Sequence, residues 1–449
     1  MKSVHHWFEN RIEKYRTIYP QLISSLVMIA AAGAAAVVAI AYAWIIEWAT
    51  STMIILSTQY RWYFLAASPF LFVSAWALVR YIAPETAGSG IPQVLAEIEK
   101  AAIDPKTGSQ IIRNLKLIAV KTVSSTLAVL GGGVVGREGP TIQISAAIFD
   151  MFDGTFKKYV SSRRSRETLL IAGGGAGLAA AFNTPLGGVV FAIEELASQH
   201  FKNFKGILIL SVVIAGIVSQ AILGPYLFIG HPTIGIVTVK DSTFGLLMAL
   251  GIGVTGALFG KSLFGIAQRT KKLSDRHRLF LAAAVGLIVS AVCIALGSNA
   301  SGGGSHLIQK LLFTNGNAAP EISWWLAIWR VVGIAVTYLS GCAGGIFAPS
   351  LSAGAALGAA LANAFSFDNQ NLMIVMAMIA FLTGATRSPF TSFILVFEMT
   401  DRQAAVVPML ASALLAYGAA KLIDNHSFYE KMRDAILQKK AEPTEQVRE

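Results

Sequence analysis

Read by its hydrophobic and polar positions, the chain is a series of long uncharged runs set apart by short charged ones. Leu22 to Ile46, Tyr63 to Val79, Gly206 to Val239 and Ser242 to Gly260 carry no Asp, Glu, Lys or Arg, and the run from Leu279 up to Glu321 is broken only by Lys310. Such runs match the roughly 20 apolar residues that a helix needs to cross a bilayer. They predict an all-α, polytopic membrane protein. The runs are not evenly spaced, because Gly and Pro interrupt apolar sequence at GSGIPQ (88–93), GGGVVGREGP (131–140), FNTPLGG (182–188), GCAGGIFAP (341–349) and TRSPF (386–390). A helix broken at membrane depth exposes backbone N–H and C=O groups, which is tolerated only where they are buried in protein or line a cavity. Broken helices therefore point to a transport site.

The breaks recur. Phe182-Asn-Thr-Pro185 with the following LGGVVFAIEE lines up with Thr386-Arg-Ser-Pro389 and FTSFILVFEM, so Glu194 and Glu398 each stand nine residues after a proline. Upstream, GREGPTIQISA (136–146) aligns with GIFAPSLSAGA (345–355), and Glu138 then corresponds to Phe347. The predicted halves are 22–222 and 243–425, within a transmembrane domain of 22–429 flanked by an N-terminal segment, 1–21, and a C-terminal tail, 430–449. Two related halves with interruptions at matching places are the pattern of a secondary transporter whose site lies between them. Chance similarity between glycine-rich segments is the competing explanation.

Composition agrees: 54% of residues are hydrophobic and 14% charged, against about 25% charged in soluble domains. The net charge of +11 does not imply nucleic acid. The bases cluster at the N-terminus, at KKYVSSRRSR (157–166), at RTKKLSDRHR (269–278) and at the C-terminus. That is positive-inside patterning and predicts both termini in the cytoplasm. The first apolar run is too long for a signal peptide and is read as a retained span. Cys293 and Cys342 follow no metal spacing, and His306 has no ligand partner four residues on. No metal, cofactor or enzymatic chemistry is expected, since neither a nucleophile with its base nor an H-E-x-x-H motif is present.

GSGIPQ, GREGP and GGIFAP share glycine ahead of proline and an apolar helix-forming run after it, the signature of a helix N-terminus. Such N-termini present unpaired N–H groups and the positive end of the helix dipole, so several converging in the membrane make an anion site without a full cation. Weak binding of this kind suits turnover. Ser89 adds an uncharged donor. Glu138 is a carboxylate where an anion would sit, a tethered competitor that leaves when protonated and returns when ionised. The alternative is that it pairs with Arg137 or caps a helix near the surface. Glu194, Glu195 and Glu398 end apolar runs, where charges commonly reappear at an interface. Tyr429 reads locally as an aromatic-belt residue.

Together and in this order, GSGIPQ (88–93), GREGP (136–140) and GGIFAP (344–349) resemble the CLC family of chloride channels and chloride/proton antiporters. The resemblance runs from about Leu22 to Tyr429. It implies a homodimer in the lipid bilayer, each subunit having its own pore built from two inverted-topology repeats of broken, tilted helices. It further implies that Ser89, Tyr429 and the amides of Ile346 and Phe347 bind the central chloride. Arg137, Glu138 and Gly139 would form the outer anion site, with Glu138 the external gating glutamate, and Glu195 beside Glu194 would serve the internal proton pathway. An acid at Glu195 favours antiport over a passive channel, the alternative within the family. Ser89 resembles chloride-selective members, whereas Gln93 and Leu95 replace acids common in bacterial relatives and leave the proton route open. The resemblance also carries the expectation of a prokaryotic inner membrane and of no paired cytoplasmic nucleotide-sensing modules.

Overall fold

The computed structural model describes residues 2–104, 111–156, 165–197, 205–224, 229–313, 322–367, 369–400 and 405–441. Most of the basic cluster at 157–166, most of the polar run after Glu195 and the tail beyond Ala441 lie outside them. The first half contributes α1 (Lys2–Gln59), α2 (Arg61–Tyr81), α3 (Ile91–Ile103), α4 (Ile111–Leu130), α5 (Glu138–Phe156), α6 (Arg166–Phe182), α7 (Pro185–Phe191) and α8 (Lys205–Leu223). The second contributes α9 (Val239–Lys271), α10 (Asp275–Leu296), α11 (Ser305–Leu312), α12 (Trp324–Leu339), α13 (Phe347–Ala364), α14 (Gln370–Thr386), α15 (Pro389–Thr400) and α16 (Val406–Ile423), followed by α17 (Phe428–Ala441). Six of these helices are long and apolar enough to cross a membrane.

The two sets pack alike. α5 lies on α6 as α13 lies on α14; α6 meets α8 as α14 meets α16; α1 runs along α5, α6 and α8 as α9 runs along α13, α14 and α16. Helices α1–α8 thus pack in the same order as α9–α16. The expected boundary at 21/22 falls inside α1, which is helical from Lys2.

Equivalent residues of the halves also bond to each other. Gly136 and Gly345, which align in the repeat, pair antiparallel with both N–H···O distances at 2.8 Å. At the outer ends of the repeat, Glu194 accepts hydrogen bonds from the N–H groups of Phe390 and Thr391 at the start of α15. Glu398 accepts from Leu186 and Gly187 at the start of α7. Each half therefore caps a helix of the other, and charge-assisted capping satisfies donors that the helix itself leaves free.

Two fully buried cations occupy matching places. Lys121 on α4 donates to the carbonyls of Thr86 and Gly88, while Arg330 on α12 donates to those of Ser301 and Gly302. Each thereby holds the loop that leads into a short helix, α3 or α11.

α13 sits tightly on α14 because Gly354 has no side chain: a Cβ there would lie 2.6 Å from the Ala377 carbonyl oxygen and 2.7 Å from Met378 Cα. Gly354→Ala should cost about 1–3 kcal/mol by overpacking, read as a lower melting temperature in detergent. Gly251→Ala, where nothing lies within 4 Å, should leave the melting temperature unchanged or raise it slightly. Equal melting of both variants would show that the α13–α14 contact is not close-packed.

Candidate functional site

The three motifs meet at the centre of the molecule. Gly136 binds Gly345, and Gly88 donates to the Cys342 carbonyl and accepts from Gly344 N–H, both at 3.0 Å. The loops that start α3, α5 and α13 are thereby tied into one backbone junction. Two glycines make the approach feasible. Gly90, immediately before α3, has φ +102, and a Cβ at Gly139 would stand 2.5 Å from Ser89 Oγ. Ser89 thus rests directly against the first turn of α5.

Ser89 and Tyr429 are buried, and among the described residues neither hydroxyl has a hydrogen-bond partner other than the opposite hydroxyl of this pair. Tyr429, in the first turn of α17, turns its hydroxyl toward that of Ser89 and lies within electrostatic reach of both Glu195 and Glu138. Leaving a buried donor unmatched costs about 1–3 kcal/mol, and buried polar atoms without partners are uncommon enough to require a reason. Two adjacent hydroxyl donors beside the opening of α13 suit a small anion. Ile346 and Phe347 supply that opening, where the N–H groups of the first turn have no intrahelical acceptor. The Phe347 side chain turns into an aromatic cluster with Phe182 and Phe191, at ring separations of 6.0 and 6.4 Å.

Glu138 begins α5 and is buried. Its carboxylate lies among the backbone N–H groups of Ala348, Arg137 and Glu138 itself, with Oε2 making no full hydrogen bond. One carboxylate therefore addresses the N-termini of α5 and α13 together. The neighbouring Arg137 points elsewhere, donating to the Ala43 carbonyl of α1 at 3.3 Å. A small pocket of about 60 Å³ opens above Glu138 between α1 and the start of α11, and the Glu47–His306 pair stands in its wall at 3.1 Å. On the opposite side a cavity of about 990 Å³ reaches Gly88 and is lined by Gln93, Asn114, Gln143 and Arg166 among others. Gln93 donates to the Ala87 carbonyl at 2.6 Å, and Leu95 is buried in the apolar core.

Glu194 and Glu195 diverge. A π-helical turn at Ala192–Leu196 follows α7, and such turns recur at functional sites. From it, Glu194 goes to the start of α15, whereas Glu195 is buried and accepts a hydrogen bond from Ser388 Oγ.

Several of these contacts escape a reading of the sequence. Lys121 and Arg330 did carry a signal: each stands 19 residues before the proline of the motif that follows (140 − 121 and 349 − 330). The cross-caps and Ser388 carried none, because each joins residues about two hundred positions apart.

Comparison with known proteins follows the same lines. A family model described as "Voltage gated chloride channel" matches residues 69–421. The H+/Cl− exchange transporter ClcA of Vibrio cholerae is 34% identical over 391 residues, covering 82% of this chain and 79% of that protein. The ClcA of Vibrio vulnificus is 33% identical over 367 residues, 79% of this chain and 76% of the other. Among solved structures, a slow cyanobacterial Cl−/H+ antiporter has a TM-score of 0.81 at 24% identity over 93% of this chain and 98% of that one. A CLC-type fluoride/proton antiporter has 0.75 at 21% identity, over 92% and 98%. At these identities the solved structures speak to the fold.

Ser89→Ala and Tyr429→Phe each remove one hydroxyl donor from the junction. Either should weaken binding of a small anion about tenfold, the usual scale for a hydrogen bond to a charged group. Calorimetric titration of bromide into detergent-solubilised protein measures this. Unchanged affinity in both variants would exclude the hydroxyls from the site.

Proposed function

The chain belongs to the voltage-gated chloride channel family, and from that premise we propose that it is a secondary active transporter exchanging chloride for protons across the bilayer. The observation that carries this reading is the position of the Glu138 carboxylate among the N–H groups that open α5 and α13. Ionised, it fills an outer anion seat. Protonated, it loses its attraction for those amides and gives way to chloride. Anion and proton then exclude each other at one position, and competition of this kind couples their movements.

Chloride travels between the large cavity beside Gly88 and the small pocket above Glu138, held midway by Ser89, Tyr429 and the amides of Ile346 and Phe347. No full charge touches it there, so release remains fast. Glu195 takes protons from the cytoplasmic side and passes them toward Glu138, with the Tyr429 hydroxyl lying in the field of both carboxylates. Glu194 supports this step from outside the route, as the cap of α15. The large cavity faces the cytoplasm, in keeping with Arg166 in its wall at the end of the basic cluster 157–166. Both termini are cytoplasmic, in an inner membrane.

The protein works as a homodimer. Leu186 and Phe390, whose N–H groups Glu398 and Glu194 cap, are exposed, as are Val407 and Leu422 on α16. A carboxylate turned to lipid is costly, and a second copy against this face covers it.

In liposomes holding a chloride gradient and no proton gradient, the protein should drive protons uphill. Glu138→Gln and Glu195→Gln should each abolish proton movement, at least tenfold, while chloride still passes. Chloride flux without proton movement in the unaltered protein would instead identify a passive channel. Full proton coupling in Glu195→Gln would remove that residue from the route.

A further inference from the structure

Glu195 is buried, and neither Gln93 nor Leu95 on α3 is an acid. Gln93 is bonded to the Ala87 carbonyl and Leu95 lies in the apolar core. The side-chain group bonded to Glu195 comes from the other half of the molecule: the hydroxyl of Ser388, itself buried, at the corner between α14 and α15. We propose that Ser388 is the positioning residue of the internal proton step, the hydroxyl that holds the Glu195 carboxyl in place through both of its protonation states. This inference rests on the reading of Glu195 as the internal relay.

The corner that carries Ser388 is fixed from several directions. Arg387 before it has a left-handed φ of 64 and donates through Nε and Nη2 to the Asp424 carbonyl, each at 3.2 Å. The Ser388 N–H donates to Thr386 Oγ1 at 3.3 Å. After it, the N–H groups of Phe390 and Thr391 are held by the Glu194 carboxylate. Two adjacent acids of the first half thus grip one corner of the second: Glu194 takes its main chain and Glu195 its hydroxyl. The cap sets the corner, and the corner sets the hydroxyl.

The repeat supplies an internal comparison. Glu398 caps α7 as Glu194 caps α15, but the residue after Glu398 is Met399. The counterpart of Ser388 is Thr184, one residue before Pro185, and its buried Oγ1 has no hydrogen-bond partner. Among the described residues this hydroxyl–carboxyl pair therefore occurs between Ser388 and Glu195 and has no counterpart at Thr184.

A serine hydroxyl has one donor and two acceptor sites. It donates to Glu195 when the carboxylate is ionised and accepts from it when the carboxyl is protonated, by rotation of its own O–H. Ser388 neither gains nor loses a proton overall; the proton arrives on a Glu195 oxygen from the cytoplasmic side and leaves from there. Glu430, Glu194, Arg433 and Tyr429 also act electrostatically on or near this carboxyl, yet the group bonded to it is Ser388. With alanine at 388 the carboxyl loses that partner in either state.

The test is the number of protons moved per chloride in reconstituted liposomes, compared among the unaltered protein, Ser388→Ala, Ser388→Thr and Glu195→Gln. Ser388→Ala should lower the proton-to-chloride ratio at least threefold while chloride efflux, which reports an intact fold, persists. Ser388→Thr keeps the hydroxyl and should restore the ratio to within about a third of the original. An uncoupled Glu195→Gln beside a fully coupled Ser388→Ala overturns this inference alone. An uncoupled Ser388→Thr overturns it as well, since a hydroxyl would then not suffice. A fully coupled Glu195→Gln overturns the reading of Glu195 and this inference with it. Should Ser388→Ala lose chloride flux, Ser388→Cys, close in size and a weak donor, decides by the same ratio.

Discussion

The reciprocal backbone pairing of Gly136 with Gly345 is the contact on which the rest of the structure depends. It joins equivalent residues of two repeats, so it stands on the pseudo-two-fold relation between them. Because the paired segments run antiparallel, the helices that follow, α5 and α13, start from one point and lead away from each other. Their unpaired N–H groups consequently face a shared space. The pairing with Gly88 brings a third helix start to the same junction. Backbone groups at membrane depth must be satisfied, and here each loop satisfies another. Lys121 binds the Thr86 and Gly88 carbonyls ahead of α3, and Arg330 binds those of Ser301 and Gly302 ahead of α11, so both buried cations are spent on the protein's own backbone.

On this symmetric frame the chemistry is asymmetric. Glu138 is matched by Phe347, whose side chain is turned into an aromatic cluster while its amide stays at the junction. Glu195 is matched by Met399, buried and apolar. The cross-caps, by contrast, are kept on both sides, Glu194 with α15 and Glu398 with α7. The capping carboxylates are kept in both halves, whereas Glu138 and Glu195 have no acidic counterpart. A symmetric scaffold thereby carries Glu138 and Glu195 in one half only, with Phe347 and Met399 at the matching places of the other.

Much of this was legible in the chain. The Gly-Pro interruptions identified the helix starts, and the alignment of GREGP with GIFAP identified the very residues that pair across the axis. The acid nine residues after each proline aligned Glu194 with Glu398, with no sign of the helix starts that they cap. What stayed hidden were contacts between halves: Glu194 with Phe390 and Thr391, and Ser388 with Glu195. Periodicity and motif spacing report on neighbours along the chain, whereas these contacts follow from how two folded halves meet. The change from polar to apolar sequence at Leu22 falls inside the unbroken helix α1, whose apolar span begins at Ile23. Tyr429 shows the difference most plainly. Its local sequence reads as a membrane-surface aromatic, and only the return of α17 to the junction makes it a donor beside Ser89.

The central claim is that the Glu138 carboxylate occupies a seat that a halide would otherwise take. The most direct measurement is anomalous diffraction from bromide in crystals of the protein and of its Glu138→Gln variant. The account predicts an additional bromide in the variant, between the starts of α5 and α13, where a neutral amide no longer competes for the helix N-termini. The same bromide positions in both crystals, with that seat empty in the variant, would contradict it.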